Sequence, residues 1–431
     1  MQSHDKNKYQ ILGWIVLAIA LGAYLYFQIL SPLSYLHCND FKHLYVGAKI
    51  IAQGRNPYDP ELMKYEAWKL GLPSILPYVY LPFTGIAMAP LTLLSFRNAA
   101  LLWFWLNHAL LFLSLYLMLR MIRMKIAPLN LGLWIFYFAL FFPLTRNLTA
   151  GQLNVVLLFL FSLIAFLHTR GKAPLVGALT AFATLFKLSP GILFLYFLWT
   201  KKWRHLLWAV GFLFAFIIIS LLISGIQVHL DFIPILRQMS YGKSTWEAEG
   251  HDFYRNPFNQ SFNSLFHHLF TNNPYTIPWI PFPPLVANLM TMFISLALLF
   301  LVLFLFRKKD ETNESGNLSL FALFMMLSLF LPSLCWDHYL TQAILPVVFL
   351  AGMIHRSGNK MSCAVFSLSL LMLAVPYNFS ASYLRCGFGV LFMSLKLMAA
   401  LGIFVLIIVE SMIIRLRRSD SPQREGSDGN N

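Results

Sequence analysis

Charge is scarce in this 431-residue chain: Asp, Glu, Lys and Arg make up 11%, against 58% hydrophobic residues that include 40 Phe. A water-soluble fold of this composition could not cover its surface with polar groups, so that class is excluded. Acid is scarcer than base, 17 residues against 32, and the formal net charge is +15. Such an excess invites a nucleic-acid partner. Its distribution argues against one. The cations gather in short connections such as Arg120/Arg123/Lys125, Lys201/Lys202/Arg204, Arg307/Lys308/Lys309 and Arg415/Arg417/Arg418. That is the pattern of loops facing the cytoplasm and its anionic lipids. Cysteine is rare as well, 4 residues with no CxxC pair and no Cys/His spacing of a zinc site. The adjacent pair His267-His268 reads as a solvated helix face, so no metal site is expected. Cys38, Cys335 and Cys386 fall toward one side of the membrane, and whether two of them pair is left open by sequence. No internal repeat of the kind that marks many secondary transporters is evident.

What is abundant is long apolar sequence. Repeated runs are long enough to approach or span a hydrocarbon core of ~30 Å, and in lipid only segments that satisfy their own backbone are stable. The expectation is an all-α, polytopic helical bundle of about 12 transmembrane helices with outer-face interfacial helices. These fall near 11–31, 99–119, 128–145, 153–168, 174–187, 189–200, 205–224, 285–306, 318–334, 338–354, 361–376 and 388–414, with both termini cytoplasmic. Residues 78–94 are apolar, but Pro77, Pro82 and Pro90 break them. A crossing there would also place Arg120–Lys125 outside, so this segment is expected to lie in the outer boundary. The first apolar segment is too long for a removable signal peptide and reads as an anchor. Two long loops, 32–98 and 225–284, share the outer side with most boundary carboxylates, and loops of that length are usually functional. We expect one catalytic unit over residues 1–418 and a disordered cytoplasmic tail over 419–431.

A series of weak motifs runs along the outer side. They are Asp40-Phe41 with Tyr45 and Ala48, Gly54, Asn56-Pro57-Tyr58, Tyr80-Leu81-Pro82-Phe83 and Ala89-Pro90-Leu91. Gly151-Gln152-Leu153-Asn154, Lys187 before Pro190, Asn259-Gln260-Ser261 and His338-Tyr339 follow. In their order and placement they resemble the GT-C glycosyltransferases, and among them family 87, the polyprenol-phosphate-mannose-dependent mannosyltransferases and their relatives. Leu81-Pro82 stands where that family often has Pro-Pro. The resemblance implies an integral membrane enzyme, in a bacterial cell membrane, that takes a hexose, mannose first among the candidates, from a polyprenyl-phosphate carrier. It would pass the sugar to a glycolipid or glycan acceptor on the extracytoplasmic face. The family works without cofactor or metal and with inversion, and its partners are donor, acceptor and membrane lipids, with no nucleic acid.

The residues can be weighed on that basis. Asp40 follows a membrane exit and is the candidate general base, since an acceptor hydroxyl must lose a proton as its oxygen attacks. The alternative is that Asn39 or Asp40 caps the amphipathic helix 41–53. Lys187 lies among apolar residues and would hold the donor phosphate; otherwise it snorkels from a helix end. Arg146 and His338 are further phosphate candidates, each equally readable as an interfacial contact. For sugar or acceptor binding the candidates are Tyr58, Asp59, Tyr80, Gln152, Asn154, Asn259, Gln260 and Asp337. Asp59-Pro60-Glu61 also reads as a helix start, and Asn154 as a cap. A transporter or lipid-linked sugar flippase would place ionisable residues along the midplane, where only Lys187 qualifies. An oligosaccharide polymerase or ligase would use similar outer-face residues.

Overall fold

The computed structural model describes residues 2–72, 74–245, 247, 250, 252–307 and 314–419. Of the expected tail, residues 420–431 lie outside the described residues. The chain is all-helical, with no strand among the described residues beyond one isolated bridge between Asn259 and Trp336. The first half holds α1 (Gln2–Tyr24), α2 (Ser31–Ser34), α3 (Asn39–Ala52), α4 (Pro60–Lys69), α5 (Pro82–Met88) and α6 (Phe96–Met121). It continues through α7 (Pro128–Leu140), α8 (Phe142–Ala150), α9 (Asn154–His168), α10 (Ala173–Phe186), α11 (Ile192–Trp199) and α12 (Trp203–Gln238). The second half holds α13 (Phe262–Phe270), α14 (Pro284–Leu305), α15 (Glu314–Phe330), α16 (Ile344–Ser357), α17 (Lys360–Ala374), α18 (Gly389–Met393) and α19 (Leu395–Ser419).

Every apolar segment expected to be helical is helical, but the count of about 12 crossings is not met by length. Among the described residues six helical stretches are long and apolar enough to cross a membrane: Tyr9–Ser34, Phe96–Met121, Trp203–Gln238, Pro284–Leu305, Asp337–Ser357 and Leu395–Arg417. The pair α7 and α8 makes a seventh if its 62° bend is one span. Of the remainder, α9, α10 and α17 run 14 or 15 residues. At 1.5 Å per residue they reach about 22 Å, short of a ~30 Å core. Residues 78–94 become an extended strap followed by the short helical stretch Pro82–Leu93. The chain is an integral membrane protein, and the side chains that its spans expose are apolar, as on α14 (Leu285, Leu289, Phe293, Phe300 and Phe304).

Three breaks shape the interior. Pro143 has no amide hydrogen and its ring would clash with the carbonyl of residue 139, so the helix parts at Phe141. Buried Gln28 takes up the freed acceptors, its Nε2 donating to the carbonyls of Phe138 (2.9 Å) and Ala139 (3.1 Å). Pro190 stops the next helix, and α10 ends at Phe186 with Lys187 extended (φ −157°, ψ 136°). There Thr84 Oγ1 from α5 donates to the Phe186 carbonyl at 3.0 Å, so the helix end is not left open. Gly225 interrupts α12 at φ +78°, a conformation that favours glycine, and re-aims its outer part. The break at Lys187 gives up helix geometry at the wall of the cavity described below.

Candidate functional site

A cavity of about 550 Å³ opens among α3, the strap before α5, α8, the Lys187 joint, the outer part of α12 and the 3₁₀ turn Asp337–Ala343. Asp40, Tyr80, Gln152, Lys187, Arg146 and His338 all line it. Residues up to 300 positions apart in sequence therefore share one chamber. Its far wall is apolar, with Phe186, Leu188, Phe232, Leu236 and Leu329.

Asp40 sits in the first turn of α3, and the structure separates its two readings. The N-cap position is Cys38, in the left-handed region at φ +47°, and no side chain caps the helix. Among the described residues no hydrogen bond or ion pair engages the Asp40 carboxylate, which is half-buried at the cavity wall. Helix α3 is pinned from below by Gly151, at φ +71°, where a Cβ would come within 2.5 Å of the Phe41 Cβ. The Gly151 carbonyl accepts from Trp103 Nε1 at 3.0 Å. His43, one turn on, donates through Nδ1 to the Leu76 carbonyl (3.2 Å). Burial pulls its imidazole down to about 4, with Asp40 acting the other way.

Lys187 has neutral neighbours. Its Nζ donates to Asn154 Oδ1 at 3.2 Å and lies 3.3 Å from the centroid of the Tyr339 ring. No carboxylate stands within ion-pair distance of it among the described residues. Arg146 differs, because its Nε is 3.3 Å from Asp337 Oδ1 and its guanidinium lies over Phe258. Asp337 is fully buried behind the wall rather than on it. His338 Nδ1 is 3.5 Å from the same Asp337 oxygen, and both His338 ring nitrogens lack hydrogen-bond partners while the ring lines the cavity.

The remaining candidates fall into two groups. Tyr80 lines the cavity, and burial pushes its hydroxyl well up, while Gln152 hydrogen-bonds to it. Tyr58 lies behind, its hydroxyl donating to the Tyr80 carbonyl at 2.6 Å. Its turn is tied to α12 by Asn56 Nδ2 donating to Asp231 Oδ2 at 2.6 Å. Asp59 caps α4, accepting from the Glu61 and Leu62 amides. Asn259 and Gln260 are buried and engaged with backbone. Asn259 Nδ2 donates to the carbonyls of Tyr254 and Ser333, and its Oδ1 accepts from the Cys335 amide. Gln260 Nε2 donates to the carbonyls of Pro257 and Met393, and its Oε1 accepts from the Lys396 amide at the start of α19. Tyr58, Asp59, Asn154, Asn259, Gln260 and Asp337 thus stand off the wall. Trp336 and Tyr339, aromatic residues suited to packing a sugar face, also stand on it, as do Gln342 and His43, which the sequence does not single out as binding candidates. Among the described residues no group of three or more His, Cys, Asp or Glu is placed to hold a metal ion.

The chemistry available is that of a wet, partly apolar chamber with an unengaged carboxylate and an unneutralised ammonium. The model of glycosyltransferase family 87 matches residues 78–332, a stretch that contains Tyr80, Arg146, Gln152, Asn154 and Lys187 and ends before Asp337. Over 167 residues the chain is 34% identical to the polyprenol-phosphate-mannose-dependent alpha-(1-2)-phosphatidylinositol pentamannoside mannosyltransferase of Mycolicibacterium smegmatis. That alignment covers 37% of this chain and 38% of the relative, so the chain matches little more than a third of the relative's length. No solved structure matches. A family match over more than half of the chain is decisive: this membrane protein is a glycosyltransferase and belongs to glycosyltransferase family 87.

Proposed function

We propose that the chain moves a hexose, mannose first among the candidates, from a polyprenyl-phosphate carrier to a glycolipid or glycan hydroxyl. The observation that carries this reading is the pairing of Asp40 and Lys187 on one cavity wall, neither neutralised by a partner. The similar mycobacterial enzyme depends on polyprenol-phosphate-mannose, which supports the donor class. The reaction is metal-independent and inverting. Asp40 accepts the acceptor's hydroxyl proton as that oxygen bonds to the anomeric carbon. The bond from that carbon to the phosphate oxygen breaks, and its electron pair stays on the phosphate, which leaves as a dianion. Lys187, with Arg146 and His338, faces that developing charge, where a fixed cation in a low-dielectric site lowers the barrier most. Asp337 takes part of the Arg146 charge, so Lys187 carries the larger share. The apolar wall of Phe186, Leu188, Phe232 and Leu236 receives the first isoprene units.

The same reading places the site on the extracytoplasmic side of a bacterial inner membrane, with both termini cytoplasmic and residues 1–418 acting as one catalytic unit. The test is transfer of radiolabelled sugar from polyprenyl-phosphate-mannose to membrane glycolipids by purified protein in lipid. Asp40→Asn should lower the rate by roughly 10²–10⁴-fold, the usual contribution of a positioned base, while donor binding persists. Equal rates would remove Asp40 from the mechanism. Failure of the wild type across a panel of carrier-linked sugars would remove the proposal itself.

A further inference from the structure

We infer that Gln342 reads a hydroxyl of the donor sugar, the one on the carbon beside the anomeric carbon, and that Asn154 sets its distance from the phosphate cation. This deepens the proposed function and rests on it.

Donor and acceptor chemistry decides which atoms face which around Asn154. A lysine ammonium has only donors, so the Asn154 atom 3.2 Å from Lys187 Nζ is its oxygen. Gln342 approaches that same oxygen at 3.0 Å and must therefore present its amide nitrogen. The other end of Asn154 is fixed as well. Its Nδ2 and backbone N–H both donate to Asn147 Oδ1, at 3.0 and 3.3 Å. The orientation of all three amides follows from the charge of Lys187. The consequence is that Gln342 turns its carbonyl away from Asn154, and that Oε1 has no partner.

An unpartnered amide oxygen on a residue 1% exposed is costly, because it has given up water and gained no donor. Gln342 nevertheless lines the cavity, beside Tyr339 and Lys187. A ligand that brings a hydroxyl donor to this oxygen removes the penalty. Two bonds to one oxygen keep Lys187 Nζ and Gln342 Nε2 within about 6 Å of each other. A phosphate held by Lys187 therefore leaves little room before Gln342. In a sugar phosphate the first hydroxyl from the phosphate is the one on the neighbouring ring carbon.

The experiment compares two donors, polyprenyl-phosphate-mannose and its 2-deoxy analogue, with purified full-length protein in lipid. Wild type, Gln342→Met and Gln342→Glu are measured. A deoxy donor is intrinsically more reactive, so the reading is how the ratio of kcat/KM for the two donors changes between variants. Gln342→Met, of similar volume, should shift that ratio by about 10–100-fold toward the deoxy donor, the scale on which losing one partner of a buried hydrogen bond is felt. Gln342→Glu keeps an oxygen acceptor and should retain the preference for the hydroxylated donor. In Gln342→Met, binding of sugar-free polyprenyl phosphate should fall less than kcat/KM for the hydroxylated donor, because Lys187 keeps its own bond to Asn154. If both donors fall by the same factor in both variants, Gln342 is only a structural residue and the inference is overturned. If the wild type transfers sugar from neither donor nor from other carrier-linked sugars, the proposed function fails and this inference falls with it. If transfer is robust and the ratio does not move, the inference alone fails.

Discussion

Lys187 differs from the other cavity cation because everything that touches it is neutral, an amide oxygen and an aromatic face. It is therefore the group most able to attract a phosphate, and its charge can be cancelled without removing it. Asn154→Asp would set a carboxylate at the 3.2 Å contact. We expect both Lys187→Met and Asn154→Asp to weaken binding of sugar-free polyprenyl phosphate at least tenfold and to slow transfer by about 10²–10³-fold, the usual loss when one charge-stabilising donor is removed. Equilibrium binding and initial rates check this. Intact phosphate binding by Asn154→Asp would show that Lys187 is not the clamp. The two residues on which the proposal rests are visible in the sequence because a lysine in an apolar run and an acid at a membrane exit stand out against their surroundings. Gln342 was not, since one amide within Tyr339-Leu340-Thr341-Gln342 carries no local signal; only its contact with Asn154 gives it meaning. Asn259-Gln260 shows the converse. A pair of amides has the same spelling whether it binds sugar or holds backbone carbonyls, and here its partners are backbone.

Helices were the more legible level. Apolar runs specified where they form, prolines and glycines where they stop, and the breaks at Phe141, Lys187 and Gly225 all have a local chemical cause. Crossing number was less legible, because hydropathy marks a buried helix of 14 residues and a membrane span alike. Two of the shorter helices, α3 and α13, also set a pH response. Burial pulls His43 on α3 and His268 on α13 down to about 4, from an ordinary 6.5. Both fold neutral, whereas the unfolded chain takes up protons near 6.5. Between those values the unfolded state binds more protons, so stability is full above pH 6.5 and falls as pH drops toward 4. The loss is on the order of 2 kcal/mol for each histidine by pH 5. Thermal unfolding in lipid at pH 7.5 and 5 measures it, and His43→Gln should flatten part of the slope. A midpoint indifferent to pH over that range would mean that these rings are hydrated in the folded protein.

At the scale of the whole molecule, the mechanism depends on which side of the membrane the cavity faces. The distribution of Lys and Arg sets the expectation of an outward-facing cavity, and the cysteines offer a direct test. Cys363 and Cys386 are exposed, whereas Cys38 and Cys335 are buried. Cys363 lies in the first turn of α17, just after Lys360, and Cys386 follows the far end of that helix. Its loop is tied to the long outer segment, where Trp279 Nε1 donates to the Gly387 carbonyl at 2.7 Å and Ile277 N to that of Arg385. An impermeant maleimide added to intact cells should label Cys386 and spare Cys363 until the membrane is permeabilised. Cys363→Ser and Cys386→Ser variants assign the two signals, and the buried pair should stay silent in both conditions. The reverse pattern would turn Asp40 and Lys187 toward the cytoplasm. There a carrier-linked donor would compete with nucleotide sugars, and the case for a polyprenyl-phosphate donor would lose its topological support.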